Sequence, residues 1–318
     1  MNIFLLFLLF SWVLLSFIVR GNNGAVQHEI QLEEYPYLVS LHLVNFGHLC
    51  TATIISKKLV LTAAHCLYDF KKKEFLDPAD LRLVYGAQEM DSSLDYIYQP
   101  ETEVRFVVST YIHPRFDVDN FFQDIAMVNV DAPWDERAKL VTLPSFHVSR
   151  SALPEGYVCH VVGWWSAGKC GGVKTVLPSL ISGEQHPQLD LQRQEQFLTA
   201  KMAQKVILDA VNCTNLSESS RLVHEYITIC TYKEDKSSCD GDAGAPLICD
   251  NLQVGILSWG LGYKENGKAM PLVYARVNDY LPWIKFAIDV FESEAVMAGP
   301  HVVLLALPML LAVLEVTL

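Results

Sequence analysis

Two short stretches hold most of the residues that could do chemistry. Ala63-Ala64-His65-Cys66 offers an imidazole beside a sulfur, and Cys239-Asp240-Gly241-Asp242-Ala243-Gly244-Ala245-Pro246 sets a carboxylate between two glycines. An imidazole is the usual general base near neutral pH. A tight glycine turn can aim backbone N–H groups at one point, where they would stabilise a developing oxyanion. At the centre of the second stretch stands Ala243, and a methyl group has no atom that can attack a carbonyl. Read alone, the Ala-His-Cys tripeptide is better explained by a buried structural histidine than by a base. Eight cysteines follow an apolar leader, which implies an oxidising compartment and disulfides. Asn212-Cys213-Thr214 and Asn215-Leu216-Ser217 are glycosylation sequons.

The chain is long enough to place these residues on a large scaffold. Its 318 residues, 51% hydrophobic and 19% charged, suit one large all-β domain or two smaller ones. A formal net charge of −12 argues against nucleic acid as a partner. Lys71-Lys72-Lys73 is a short basic run that reads as a solvated loop. Ile3 to Val19 is a 17-residue uncharged run, with Val19 and Gly21 small enough for a signal-peptidase site. Residues 1–21 therefore read as a cleaved signal peptide, with an uncleaved anchor as the alternative. At the other end Val302 to Leu314 is apolar, and no Lys or Arg follows it. That disfavours a type I membrane span. Ser293-Glu294-Ala295, with Val296 to His301 as spacer, reads as the attachment site of a GPI signal, so residues 293–318 form a hydrophobic tail. A short membrane span and a docked tail are the alternatives. No cofactor and no metal is expected.

Tyr35 to Leu43 alternates apolar residues between turn signals, and Cys50 to Ile55 reads as a second strand. Then come Val60-Leu61-Thr62-Ala63-Ala64-His65-Cys66, Phe122-Gln123-Asp124-Ile125-Ala126-Met127-Val128, Cys159-His160-Val161-Val162-Gly163-Trp164-Trp165 and the Gly241–Pro246 stretch. In this order they resemble the motifs of the trypsin-like (chymotrypsin-family) serine proteases, from about Tyr35 to Phe291. The resemblance implies an all-β fold of two six-stranded antiparallel β-barrels with a C-terminal helix, over residues 22–292. It places the catalytic histidine at His65, its orienting aspartate at Asp124 and the nucleophile at Ala243. Gly241 and Ala243 would supply the oxyanion N–H groups. Ser237 would form the base of the specificity pocket and Leu272 its wall, where the family has a small glycine. Ser258-Trp259-Gly260 would be the edge that meets a substrate strand. The implied disulfides are Cys50–Cys66, Cys159–Cys249 and Cys213–Cys230. Cys170 and Cys239 lack family partners and are assigned to each other, with two unpaired thiols as the alternative.

The departures from the family are as informative. There is no Ile-Val-Gly-Gly, the start of a cleaved active member, so the ammonium that would pair with Asp242 is missing. Asp242 should then be neutral, satisfied by another donor, or held in a zymogen-like loop. Trp165 replaces a family glycine, and Ser166 to Val211 is an enlarged loop that ends in a helical stretch over about Leu191 to Ala210. Three functional readings follow. The first is an inactive homologue acting by protein binding as a cofactor, decoy or adhesion protein, extracellular or tethered to the outer cell surface through its tail. Its partner would be an extracellular protein such as an active protease or its substrate. The second is a residual or repurposed hydrolase, and the third a structural surface protein that presents the enlarged loop.

Overall fold

Alternating apolar side chains recur along the chain, and strands follow from that period. The computed structural model describes residues 28–44, 46–90, 95–145, 153–166, 201–213, 227–232, 242–260 and 271–296. In chain order the strands are β1 (His28–Glu29), β2 (Leu38–Leu43), β3 (Gly47–Ile54), β4 (Leu59–Thr62), β5 (Tyr68–Asp69), β6 (Glu74–Phe75), β7 (Leu81–Tyr85) and β8 (Glu89–Met90). They continue with β9 (Glu103–Ile112), β10 (Ala126–Val130), β11 (Val158–Ser166), β12 (Lys201–Val211), β13 (Thr228–Tyr232), β14 (Pro246–Cys249), β15 (Leu252–Gly260) and β16 (Leu272–Arg276). Helix α1 spans Val277–Val296, so it runs past the domain end expected at Glu292.

The strands close into two six-stranded antiparallel barrels, as expected. The first has the order β10-β4-β3-β2-β7-β9. The second runs β12-β11-β14-β15-β16-β13, and β13 returns to pair with β12. Closure leaves no unpaired edge within either barrel. The residues pointing inward are apolar: Val39, Leu41, Ile54, Val60 and Leu83 in the first barrel, and Val161, Leu247, Leu257 and Tyr274 in the second, are all buried. Each such side chain contributes on the order of 1.5–3 kcal/mol relative to remaining exposed.

The opposite face of β2 and β3 is polar yet equally buried. Ser40, His42, His48, Thr51 and Thr53 are all 5% exposed or less. The second barrel covers them, as the Thr53 hydroxyl shows by donating to Gln253 Oε1 at 2.7 Å. The two halves also exchange their ends. β1 pairs with β12 of the second barrel. In return α1 lays Phe291 against Tyr111 and Trp283 against His113, with ring centroids 4.6 and 5.1 Å apart, on the β9 side of the first barrel.

One expectation is overturned. Residues 201–210, expected to lie in a helical stretch, belong instead to β12, the longest strand among the described residues. Val206, Leu208 and Ala210 turn inward, Ala203 is buried on the other face, and Ile207 on that face is exposed. The part of that stretch before Lys201 lies outside the described residues. The three disulfides implied by the resemblance are formed: Cys50–Cys66, Cys159–Cys249 and Cys213–Cys230. Cys170 and Cys239 lie outside the described residues, as do the leader and the apolar tail.

Two histidines link the packing to pH. Burial, and secondarily Arg115, lowers His113 from 6.5 to about 4. Burial, and secondarily Lys205, lowers His160 from 6.5 to about 4. Between those values the unfolded chain binds protons that the folded chain refuses, so stability rises with pH across the window and levels off above it. Melting temperatures of H113Q/H160Q should therefore fall less between pH 7 and pH 5 than those of the parent, pH values that bracket the ordinary histidine range of about 6.5. Parallel pH profiles for the two proteins would refute this.

Candidate active-site cleft

The site is assembled from both barrels. β4 ends at Thr62, and the chain enters a 3₁₀ turn, Ala64–Leu67, that carries His65. The Cys50–Cys66 bridge ties this turn back to β3. Asp124 arrives on the connection between β9 and β10. Phe121 and Gln123, just before it, hold left-handed backbone with φ of 53° and 54°. Such conformations cost on the order of 1–3 kcal/mol each outside glycine, so the surrounding structure forces this presentation of the carboxylate.

Asp124 is 1% exposed. Its Oδ1 accepts the backbone N–H of His65 at 2.8 Å, and its Oδ2 lies 2.6 Å from His65 Nδ1. The Ser258 hydroxyl, from β15, donates to the same Oδ2 at 2.5 Å. With Nδ1 committed to the carboxylate, the Nε2 lone pair of a neutral His65 is the one left to act as a base. Phe121 packs edge-on against the His65 ring with centroids 5.0 Å apart. The sulfurs of Cys50 and Cys66 approach the imidazole. Being bonded to each other, they are not thiolate ligands for a metal.

The second half of the site is the turn Asp242–Ala245. Gly244 has φ of 80°, and a Cβ there would collide with the Thr51 carbonyl oxygen and the Thr62 hydroxyl. Only glycine lets the turn approach β3 and β4 this closely. The Thr51 N–H donates to the Ala243 carbonyl at 2.9 Å, and the Gly244 N–H to the Leu257 carbonyl at 2.8 Å. The turn is thus pinned to both barrels, and the side chain at its centre is the methyl of Ala243.

Asp242 itself is buried, with 4% side-chain exposure. Its Oδ2 accepts the Trp164 N–H at 3.0 Å and the Thr51 hydroxyl. His48 Nε2 lies 2.9 Å from the same oxygen. Behind it, Ser40 Oγ sits 2.5 Å from His48 Nδ1. Of the three states expected for Asp242, the structure has the one in which other donors replace the missing ammonium.

The remaining expected site residues are distributed as follows. Leu272 is buried at 6% exposure and pairs with Gly260 across β15 and β16. Ser237, Gly241 and Asn215 lie outside the described residues, while Asn212 directly follows β12. Ser40, His48, Thr51 and the Trp164 amide were not anticipated. A faint signal was present in the polar residues alternating through β2 and β3, but reading them as buried requires knowing that a second barrel covers that face.

A family model described as Trypsin matches residues 25–284. Cationic trypsin-3 of Rattus norvegicus is 28% identical over 258 residues, covering 80% of this chain and 85% of the relative. Granzyme-like protein 2 of Rattus norvegicus is 24% identical over 295 residues, covering 91% of this chain and 99% of the relative. The solved structure of GrC shares the fold, with a TM-score of 0.57 at 20% identity, covering 83% of this chain and 98% of that one.

The bond from Thr51 to Asp242 can be tested without touching the His65 side. Thr51→Val keeps the volume and removes the donor. It should lower unfolding stability in urea by about 1.5–3 kcal/mol, the usual range for a hydrogen bond to a charged group. An unchanged denaturation midpoint would mean that the remaining donors carry the carboxylate unaided.

Proposed function

Since the chain belongs to the trypsin family of serine proteases, we propose that it is a member without protease turnover that works by binding protein outside the cell. One observation carries this reading. The turn where the resemblance expects a nucleophile is braced by Thr51 and Leu257, His65 is oriented by Asp124, and the residue at the turn's centre is Ala243. Nothing at that position can form an acyl-enzyme. Two further features support it. Asp242 is satisfied internally, so the cleft does not depend on a new N-terminus. Leu272, expected at the pocket wall where an open specificity pocket needs space, is buried.

In this reading the protein acts as a cofactor, decoy or adhesion protein. Its partner is an extracellular protein, such as an active protease or the substrate of one. The intact His65–Asp124–Ser258 arrangement favours a second reading, a residual hydrolase. Losing the nucleophile costs on the order of 10⁶ in turnover, while about 10³ over water can persist from the oxyanion hole and binding. The first reading is preferred because the base is left with no hydroxyl to activate. The third reading, a platform for the segment between β11 and β12, predicts that partner capture fails when that segment is deleted.

Fluorophosphonate probes should leave the protein unlabelled, and Ala243→Ser alone should not bring turnover to family levels. Labelling of any cleft residue in the parent would favour the hydrolase, and strong turnover by the single mutant would show that Leu272 and the Asp242 network do not block catalysis.

For the anchor, we propose lipid attachment at the outer cell surface. Val302 to Leu314 spans roughly 20 Å at ~1.5 Å per residue, short of the ~30 Å hydrocarbon layer. Phosphatidylinositol-specific phospholipase C should release the protein from intact cells. Retention, together with recovery of its C-terminal peptide, would favour a membrane span instead.

A further inference from the structure

Tyr98 is 82% exposed, more than any other large apolar or aromatic side chain among the described residues. It closes the 3₁₀ turn Asp95–Tyr98, and Gln99, Pro100 and Glu101 continue the exposed stretch. The turn is held by its backbone. Both the N–H and the hydroxyl of Thr102 donate to the Gln99 carbonyl, at 3.0 and 2.9 Å. Gly86, with φ of 85°, allows the Glu101 carbonyl to approach so closely that a Cβ at position 86 would collide with it. Arg137 Nη1 donates to that same carbonyl at 2.8 Å. Anchoring through Glu101 leaves the Tyr98 ring standing in solvent.

The sequence around the ring is acidic, and the one cation placed on this turn, Arg137, is paired with Asp135. Asp95 and Glu101, both exposed, lie three residues before and three after Tyr98. From Asp91 to Val104 there is no Lys or Arg. The nearest cation in sequence, Arg105, is occupied by Glu103 and by the Pro133 carbonyl.

We propose that Tyr98 is a tyrosine sulfation site, modified in the secretory lumen by a sulfotransferase that takes exposed tyrosines in acidic turns. The proposal rests on the extracellular reading above. The phenol oxygen attacks the sulfur of a nucleotide phosphosulfate and forms the aryl O–S bond. The bond from sulfur to the phosphate oxygen breaks, the nucleotide phosphate leaves, and the phenolic proton passes to a base of the transferring enzyme. A neutral phenol becomes a fixed anion without any redox change. The product is a charge-assisted acceptor on the outside of the first barrel, suited to an arginine or lysine of a partner.

The full chain should be expressed in cultured mammalian cells, with and without chlorate, which blocks synthesis of the sulfonate donor. The peptide carrying Tyr98 is then mapped by mass spectrometry. Expected is a gain of one SO₃ on Tyr98, lost to background in chlorate and in Y98F but retained in Y96F. An unmodified Tyr98 in protein that carries N-glycan and has reached the cell surface or the medium overturns the proposal and leaves the extracellular reading standing. Protein retained inside the cell without glycan overturns both. A gain that survives chlorate, or that maps to Tyr96, also overturns it.

Discussion

A buried carboxylate must be satisfied by the fold around it, and Asp242 sets that demand here. Left unpaired it would cost several kcal/mol or take up a proton. The Thr51 hydroxyl and His48, backed by Ser40, come to it from the first barrel, while the Trp164 amide comes from β11 of the second. Asp242 therefore reaches its full set of partners only when the two barrels dock. The Trp164 indole repeats the coupling in reverse, because its Nε1–H donates to the Ala87 carbonyl of the first half at 3.0 Å. Docking of the barrels and shaping of the Asp242–Ala245 turn are thus one event.

The same reasoning explains why catalytic-looking geometry persists in a chain with Ala243 at the nucleophile position. Asp124 is almost wholly buried and would be stranded without His65 and Ser258. Removing one member of such a buried set leaves the others unsatisfied, which commonly costs more than the bond itself contributed. The retained triad positions have a structural reason to remain whether or not a reaction runs. Their order in the fold is poor evidence for turnover, and the identity of residue 243 is the better guide.

Much of this was legible in the sequence. Alternation in Leu38–Leu43 and the motifs around His65, Asp124 and Gly244 led to the barrels, the cleft and three disulfides. Two things were not legible, for different reasons. Gln192 to Lys205 is rich in Gln, Glu, Ala, Lys, Leu and Met, all good helix formers, so a helix was the natural local reading. Lys201–Val211 is instead held between β11 and β13, and pairing on both sides overrides local preference. The Ser40–His48–Asp242–Thr51 network was hidden because its members are up to 202 residues apart and polar. Nothing local marks them as buried.

The distribution of the cysteines has a mechanical consequence. Cys50 and Cys66 bond to each other, and the other six cysteines all lie at or beyond Cys159. Among the described residues every bridge therefore stays within one half: Cys50–Cys66 in the first, Cys159–Cys249 and Cys213–Cys230 in the second. The halves are held by the polar seam, by β1 lying on β12 and by α1 lying against the β9 side. The backbone between β10 and β11 ties the halves together without fixing how they dock. It acts by keeping each half at a high effective concentration for the other. Severed there, the molecule would become a two-chain complex whose dissociation depends on dilution and denaturant, and to which the redox state of its surroundings is indifferent as long as each half stays folded.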